Sequence, residues 1–317
     1  MRAIQFFEYG DPEALQIVDV AVPQPTAAQV LVRIAATSVN HVDVETRLGR
    51  LKLLSGRRFP RGTGIDVAGT VELVGADVNG FTPGDRVWGV KASLFPRTTG
   101  AAAEFMAIDA HLLSAIPTNI DILDAAALPA VGVTAITAVR DKGRAKAGNR
   151  ILIRGAAGGV GSAAVQYAHS LGAHVTALVS ERNMQFVLAL GADVVLDRKA
   201  THVEDLGSFD VIIDTVGSNL LQYRRHLSEH GRMVTIAFSS TRSIAAIAFS
   251  AIYGRERIRT FFGQPPRGLI AQLTDVVESG GIMPVIEEIY PLEKIADAHR
   301  AIEAGGGRGK HVIRIGP

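Results

Sequence analysis

Up to Asp121, the chain consists of short apolar runs that are interrupted by glycine and proline. Runs of this kind are typical of strands bounded by turns. The predicted strands are Arg2–Phe7, Gln16–Val20, Val30–Val39, Ala68–Val74, Arg86–Val90 and Ala103–Ile108. This pattern predicts a mostly β N-terminal domain.

From Asp121 onward, strand-like apolar runs alternate with helical stretches. The predicted strands are Arg150–Arg154, His174–Val179, Val194–Asp197, Val211–Thr215, Arg232–Ala237 and Arg257–Phe262. The predicted helices are Ser162–Leu171, Arg182–Leu190 and Leu220–Glu229, and a glycine follows each of them, at Gly172, Gly191 and Gly231. Glycine is favoured there because it adopts the left-handed C-cap conformation. Six strands with helices between them predict an α/β fold with a doubly wound parallel six-stranded sheet.

The first of these strands runs directly into a glycine-rich turn, Ala156-Ala157-Gly158-Gly159-Val160-Gly161. Without a Cβ, Gly158 would let the backbone approach a pyrophosphate, and Gly161 would let the next helix pack close to its strand. The helix N-terminus would add unpaired N–H groups and a partial positive charge. The turn therefore predicts a dinucleotide site, and the alternative is a tight strand-to-helix turn of some other α/β protein.

The C-terminal part of the chain predicts a return to the first domain. A strand at Val285–Tyr290 and a helix at Leu292–Ala304 precede a last strand at Lys310–Ile315. The predicted domains are 1–121 with 284–317, and 122–283.

Charge and cysteine content exclude several function classes. Among 317 residues, 33 Lys and Arg oppose 31 Asp and Glu, and no basic run stands out, so neither nucleic acid nor an anionic membrane is an expected partner. The chain has no cysteine, which excludes disulfides, thiolate catalysis and cysteine-ligated zinc. The N-terminus does not resemble a signal peptide, and the apolar stretch Ile244–Tyr253 is too short to span a membrane, so we expect a cytoplasmic protein.

Five motifs carry a resemblance to a known family. They are Ser38-Val39-Asn40-His41-Val42-Asp43, Gly64-Ile65-Asp66-Val67-Ala68-Gly69, Pro83-Gly84-Asp85-Arg86-Val87, Gly100-Ala101-Ala102-Ala103-Glu104-Phe105 and the glycine-rich turn. In this order they resemble the medium-chain dehydrogenase/reductase superfamily, and specifically its zinc-free quinone oxidoreductase branch, over essentially the whole chain. The resemblance implies a GroES-like N-terminal domain and a Rossmann nucleotide domain.

The same resemblance argues against a catalytic zinc. Zinc-dependent relatives place a cysteine where Asn40 stands and a His-Glu pair where Ile65-Asp66 stands, and their four-cysteine structural loop is missing here. The nine histidines are scattered along the chain, and scattered histidines are far more often surface or hydrogen-bonded residues than zinc ligands. Without a Lewis acid, nothing evident would stabilise an alkoxide, so reduction of an activated acceptor is favoured over alcohol oxidation.

The resemblance also places three candidate catalytic residues. Asn40 is a candidate for orienting the acceptor or the nicotinamide, and the alternative is a loop-capping asparagine. Asp43 and Asp66 lie on family motifs, although each is equally explained as a turn or strand-end residue. Related quinone reductases often carry a tyrosine shortly after the Arg-x-Gly found here at 47–49, and this chain has none. We therefore predict that the proton comes from solvent or from a group that the sequence does not identify.

The choice of cofactor is expected at the end of the second nucleotide-domain strand. Ser180 and Arg182 suit a 2′-phosphate, whereas Glu181 suits a ribose hydroxyl unless it only complements the helix dipole. NADPH is therefore favoured over NADH, with no zinc. The predicted cofactor contacts are Thr134, Ala157, Gly158, Gly159, Val160, Gly161, Ser180, Arg182, Val216, Gly217, Phe238 and Phe262.

Three functions remain open from the sequence. The first is an NADPH-dependent, zinc-independent reductase of quinones, and the second is a reductase of activated C=C bonds in alkenals, enones or acyl thioesters. The third, from another class, is a nucleotide-bound regulatory or RNA-binding protein without turnover. The segment 243–262 combines an apolar stretch with an apparent edge strand, and an unpaired edge needs cover. The resemblance implies that this strand pairs with its copy across a two-fold axis, so we expect a homodimer.

Overall fold

A computed structural model describes residues 1–52, 58–91, 99–237, 245–248, 250 and 258–316. The chain divides into two compact units. The first unit consists of Met1–Ala130, Gly263–Ser279 and Pro284–Pro317, and the second of Val131–Phe262 and Gly280–Met283.

The first unit begins with short strands, as the interrupted apolar runs predict. Its strands are β1 (Arg2–Phe6), β2 (Gln16–Asp19), β3 (Gln29–Val39), β4 (Arg61–Gly62), β5 (Asp66–Val74), β6 (Arg86–Val90), β7 (Phe105–Asp109) and β8 (Leu113–Ala115). Two helices in this part are α1 (His41–Arg47) and α2 (Ile122–Ala126). β4 and β8 were not predicted, because runs of two or three residues are too short to show a period.

The second unit contains the predicted parallel sheet. Its strands are β9 (Arg150–Arg154), β10 (His174–Val179), β11 (Val194–Asp197), β12 (Phe209–Asp214), β13 (Leu227–Thr235) and β14 (Ile258–Arg259). Helices in the described part of this unit include α3 (Pro129–Ile136, which begins in the first unit), α4 (Gly159–Ser170), α5 (Met184–Ala189) and α6 (Leu220–Arg224). The strand order is β11-β10-β9-β12-β13-β14, with parallel pairs throughout. This order confirms the doubly wound fold, whose ligands bind at the carboxyl edge where the order reverses, between β9 and β12.

The chain returns to the first unit through its last elements. These are α7 (Leu269–Glu278), β15 (Ile286–Pro291), α8 (Ile295–Ala304) and β16 (Lys310–Arg314). β16 runs antiparallel to β3 and parallel to β15. The central strand β3 also pairs with β5 and β7, and its Val30, Val32 and Ile34 side chains belong to the apolar core of this unit.

One predicted helix is too long. α6 ends at Arg224, because the backbone from Leu227 onward pairs with β12 and Gly231 lies within β13. Gly231 is therefore not a C-cap, whereas Gly172 and Gly191 have the expected positive φ of 75° and 101°. Sheet pairing outweighs the local helical preference here.

Helix starts were also misplaced. α4 begins at Gly159 rather than Ser162, and the predicted helix Arg182–Leu190 begins as a 3₁₀ turn at Glu181–Asn183 before α5. The stretch Ile244–Tyr253 lies largely outside the described residues. Within the described ranges, no helix is long and apolar enough to span a bilayer.

Candidate functional site

Asn40 stands at the junction of β3 and α1, and its side-chain amide is bonded at both ends. The Nδ2 group donates to Asp66 Oδ2 over 2.7 Å and, more weakly, to the Ser38 carbonyl over 3.4 Å. The Oδ1 atom accepts a 2.6 Å bond from Lys310 Nζ. The side chain is half-buried, so part of it is accessible to solvent. Asn40 is thus built into a polar network of the first unit.

Asp66 is the fully buried centre of this network. Its Oδ1 accepts from the Ala130 N–H over 2.6 Å, and its Oδ2 accepts from Ser38 Oγ over 2.5 Å as well as from Asn40. A buried carboxylate needs such donors, because an unpaired one would be costly. The three donors explain why a charged side chain is tolerated at the start of β5.

Asp43 lies on the first turn of α1 and fixes the adjacent loop. Its Oδ2 accepts from the Asn40 N–H over 2.9 Å, and its Oδ1 accepts from the Gly64 N–H over 3.0 Å. Burial raises the pKa of Asp43 to about 6, while the two backbone hydrogen bonds and the Lys310 charge act in the opposite direction. Asp43 also lines a cavity of the first unit that includes Val42, Ile65 and Lys91.

Lys310 is the member of this network that sequence reasoning missed. It lies at the start of β16 and is 5 % exposed. Its Nζ donates to the Val39 carbonyl over 2.8 Å in addition to Asn40, and lies 3.6 Å from Asp66 Oδ2. Burial lowers the pKa of Lys310, and the two carboxylates of Asp66 and Asp43 oppose this shift. The sequence signal was a lysine at the first position of a predicted strand, two residues before the apolar pair Val312-Ile313.

In the second unit, the glycine-rich turn forms an open cradle at the start of α4. Apart from its chain neighbours, a Cβ on Gly158 would contact a single atom within 4 Å, the Gly155 carbonyl oxygen at 3.7 Å, so the protein occupies little of this space. A Cβ on Gly161 would lie only 2.8 Å from Ala156 Cα, so close packing of the turn requires glycine. The cradle therefore offers backbone N–H groups to an anion at a helix N-terminus, and its residues fit a dinucleotide.

The segment after β12 is tied to this turn. Thr215 Oγ1 donates to the Arg154 carbonyl over 2.9 Å, and Arg154 Nη1 donates to the Ser218 carbonyl over the same distance. Val216 is exposed, and the Gly217 N–H donates to Asp214 Oδ2 over 2.8 Å. Val216 and Gly217 thus lie at the strand edge that carries the glycine-rich turn.

The ends of β10 and β11 carry polar and basic residues side by side. Ser180 follows β10, and Glu181 and Arg182 belong to the next 3₁₀ turn. The Arg198 N–H donates to the Val179 carbonyl over 2.7 Å, so Arg198 follows β11 at the same edge. Sequence reasoning missed Arg198, although Asp197-Arg198-Lys199 at the end of a predicted strand was a visible signal.

The remaining predicted contacts are spread over the second unit. Thr134 is half-buried on α3, and Phe262 is 54 % exposed at the end of the range 131–262. Phe238 lies outside the described residues.

Comparison with known proteins covers the whole chain. Residues 26–118 match the family described as alcohol dehydrogenase GroES-like domain, and residues 190–313 match the family described as zinc-binding dehydrogenase. The chloroplastic quinone-oxidoreductase homolog of Spinacia oleracea is 34 % identical over 99 % of this chain and 98 % of its own. The chain belongs to the medium-chain dehydrogenase/reductase superfamily. It falls in the quinone oxidoreductase branch of these enzymes, which confirms the resemblance seen in the five motifs.

Two further members of the superfamily bear on function. The 2-methylene-furan-3-one reductase of Solanum lycopersicum is 34 % identical over 99 % of this chain and 79 % of its own. The mycobacterial protein Rv1454c, solved in complex with NADPH, is 27 % identical and superposes with a TM-score of 0.81 over 99 % of this chain and 100 % of its own.

The side chains around Asn40 do not fit a zinc ion. Asn40 and Asp66 bond each other, and the cation facing both is the Lys310 ammonium. Zinc prefers cysteine, histidine and carboxylate ligands in tetrahedral geometry. Within the part of the chain that the structure describes, no three His, Asp or Glu residues group closely enough to hold a metal.

Proposed function

We propose that this protein is an NADPH-dependent, zinc-independent reductase that transfers a hydride to quinones. The observation that carries the proposal is the open cradle at Gly158, at the N-terminus of α4, on the sheet edge where this fold binds nucleotides. The quinone class is supported by the quinone-oxidoreductase homolog of Spinacia oleracea.

The residues after β10 and β11 support NADPH over NADH. A 2′-phosphate is a dianion, and exposed cations with a hydroxyl group suit it. Ser180, Arg182 and Arg198 provide these groups at neighbouring strand ends. Glu181, the acid that would suit NADH, begins a 3₁₀ turn, where it complements the local N–H groups. The complex of Rv1454c with NADPH points in the same direction.

The chain contributes binding, orientation and charge to the reaction. Bound NADPH supplies a hydride, which together with one proton converts a quinone to a hydroquinone. Ala157, Gly158, Gly159, Val160 and Gly161 would hold the pyrophosphate, with Val216 and Gly217 on the neighbouring strand end. Thr134, Phe238 and Phe262 remain proposed contacts of the cofactor.

Asn40 is proposed to donate a hydrogen bond to the acceptor oxygen that gains negative charge. Its Nδ2 group has one strong partner, Asp66, while the 3.4 Å bond to the Ser38 carbonyl is weak and can be exchanged for a ligand oxygen. A preorganised donor aimed at developing charge stabilises the transition state. Asp66 holds this amide, and Asp43 holds the α1 start against the 63–64 loop.

A second candidate reaction is reduction of activated C=C bonds. The 2-methylene-furan-3-one reductase of Solanum lycopersicum favours it. Hydride transfer to the β-carbon of an enone also leaves negative charge on a carbonyl oxygen, so the same donor would serve.

The proton of either reaction is proposed to come from solvent or from a group not visible in the sequence. A cytoplasmic location and a homodimer also remain proposals.

The proposal is tested by following the oxidation of NADPH and NADH with a panel of quinones and enones, before and after exhaustive chelation. We expect chelator-insensitive turnover that prefers NADPH and quinones. A preference for enones selects the second reaction. Tight NADPH binding without any turnover contradicts both reactions and would favour a regulatory protein. Salt-sensitive RNA binding would favour an RNA-binding protein.

Light scattering at micromolar concentration tests the proposed dimer, which a mass of one chain would exclude.

A further inference from the structure

We infer that Lys310 is a positioning residue whose ammonium group fixes the orientation of the Asn40 side-chain amide, so that Nδ2 rather than Oδ1 is presented to the acceptor. This inference rests on the proposed role of Asn40 as a hydrogen-bond donor. It adds a residue from the C-terminal strand β16 to a network that otherwise consists of residues between 38 and 66 and the Ala130 N–H.

The argument starts from the symmetry of the amide group. Oxygen and NH₂ occupy nearly equivalent positions, and a half-turn about the last side-chain bond exchanges them. A lysine ammonium only donates, and a carboxylate only accepts. Lys310 Nζ lies 2.6 Å from one end of the amide, and Asp66 Oδ2 lies 2.7 Å from the other. In the reversed orientation the amide NH₂ would face the ammonium, and the amide oxygen would face the carboxylate. Together they select one orientation.

Lys310 has little freedom to do anything else. It is 5 % exposed, and its Nζ also donates to the carbonyl of Val39, the residue that precedes Asn40 in the chain. The ammonium thus holds both the backbone and the side chain at the β3–α1 junction. The Asp66 carboxylate, 3.6 Å away, compensates its charge.

The ammonium also makes the amide a better donor. Hydrogen bonds in a chain polarise one another, and the effect is larger where the surroundings are poorly solvated. Here a cation draws electron density toward Oδ1 of Asn40, which leaves the Nδ2 hydrogens more positive. The Nδ2 bond to the Ser38 carbonyl is 3.4 Å long, so that hydrogen is the one available to an acceptor oxygen.

The kinetic test is a double-mutant cycle of Lys310→Met and Asn40→Ala, with quinone as acceptor. Methionine keeps the length of the side chain and removes the charge. We expect Lys310→Met to lower kcat/KM on the order of tenfold while the Kd for NADPH changes less than about threefold. Adding Asn40→Ala should cost less than about threefold more, because both variants remove the same interaction. Full kcat/KM in Lys310→Met, or losses that multiply in the double variant, would overturn the inference.

Lys294→Met is the matched control, because Lys294 is exposed and its side chain forms a surface ion pair with Asp297 over 3.7 Å. It should retain wild-type kcat/KM. If Lys310→Met fails to fold because the buried Asp66 carboxylate loses its neighbouring cation, Lys310→Met combined with Asp66→Asn removes both charges together. This pair should show the same loss of kcat/KM without a large change in NADPH affinity.

A spectroscopic measurement separates this inference from the proposed function. The two Nδ2 protons of Asn40 are assigned in a ¹⁵N-resolved spectrum from the signals that Asn40→Ala removes. Lys310→Met should shift or broaden these signals, and Lys294→Met should not. Unchanged Asn40 signals in Lys310→Met would overturn the role of Lys310 even if the wild-type enzyme turns over no acceptor, a result that would by itself overturn only the proposed function.

Discussion

Arg154 and Asp214 form a buried ion pair at the carboxyl ends of the neighbouring strands β9 and β12. Arg154 Nη1 donates to Asp214 Oδ1, and the Arg154 guanidinium also lies 3.6 Å from the ring centroid of Tyr223. The second carboxylate oxygen of Asp214 accepts from the Gly217 N–H and from Thr235 Oγ1, each over 2.8 Å. The pair therefore joins the strand that leads into the glycine-rich turn to the segment that carries Val216 and Gly217.

Arg154→Met is expected to destabilise the fold by about 3–5 kcal/mol, because it leaves the Asp214 charge buried without its partner. Weaker NADPH binding should accompany this loss, since the segment after β12 is no longer tied to the turn. Denaturant unfolding and NADPH titration measure the two effects. Arg150→Met, at the exposed start of the same strand, serves as the control and should change stability by less than about 0.5 kcal/mol. Equal stability of the two variants would contradict the account.

Two alanine substitutions in the glycine-rich turn should affect different properties, one NADPH affinity and the other stability. Gly158→Ala meets no atom closer than 3.7 Å, so stability should remain near wild type while NADPH affinity falls, because the new methyl group fills the cradle. In Gly161→Ala the new Cβ would lie 2.8 Å from Ala156 Cα, so the turn must shift. Stability should therefore fall by about 1–3 kcal/mol. Thermal unfolding with and without NADPH distinguishes the two. Unimpaired NADPH binding in Gly158→Ala would show that no dinucleotide uses this cradle.

Arg198→Ala and Arg182→Ala should each weaken NADPH binding and leave NADH binding unchanged, since only NADPH carries a 2′-phosphate. The loss of one charge-assisted hydrogen bond predicts a change of about 1.5–3 kcal/mol in binding free energy. Calorimetric or fluorescence titration with both dinucleotides measures it. Arg144→Ala removes an exposed arginine that does not follow β10 or β11, so it is the control for the loss of one positive charge. Parallel losses for NADPH and NADH would show that neither residue reads the phosphate.

Asp43 gives the first unit a pH-dependent stability. Its pKa in the folded state is about 6, raised from 3.8 by burial, so the folded chain holds a proton that the unfolded chain has released between these values. The stabilisation is complete below pH 3.8 and is lost as the pH rises through 6, to the extent of about 3 kcal/mol.

Denaturant unfolding of the wild type and of Asp43→Asn over this pH range tests the prediction. The asparagine variant cannot titrate at this position, so its stability relative to the wild type should rise from pH 4 to pH 7. A constant difference between the two proteins would mean that Asp43 titrates like an exposed aspartate.

Three strands of the nucleotide sheet were predicted well from the sequence because they are short apolar runs. β9, β10 and β11 have the predicted bounds, since turn residues stand at both ends of each run. The helix expected at Leu220–Glu229 shows the limit of this reasoning. Its second half joins the sheet through pairing with β12, and local sequence contains no trace of a partner that is distant in the chain.

The candidate site was only partly predictable for the same reason. Asn40, Asp43 and Asp66 lie on motifs, and the structure brings them into one hydrogen-bonded network. Lys310 completes the network from a position 270 residues away from Asn40. A lysine at the start of a strand ordinarily faces solvent, and only the pairing of β16 with β3 buries this one.

The most direct test of the proposed hydride transfer is a single-turnover experiment with NADPH deuterated at the transferred position. Enzyme and NADPH are mixed with a quinone without oxygen, and NADPH oxidation and hydroquinone formation are followed together. We predict one hydroquinone per NADPH, with a primary isotope effect on the step and with no sensitivity to chelators. NADPH that stays bound and unoxidised in the presence of quinones and enones would contradict the account.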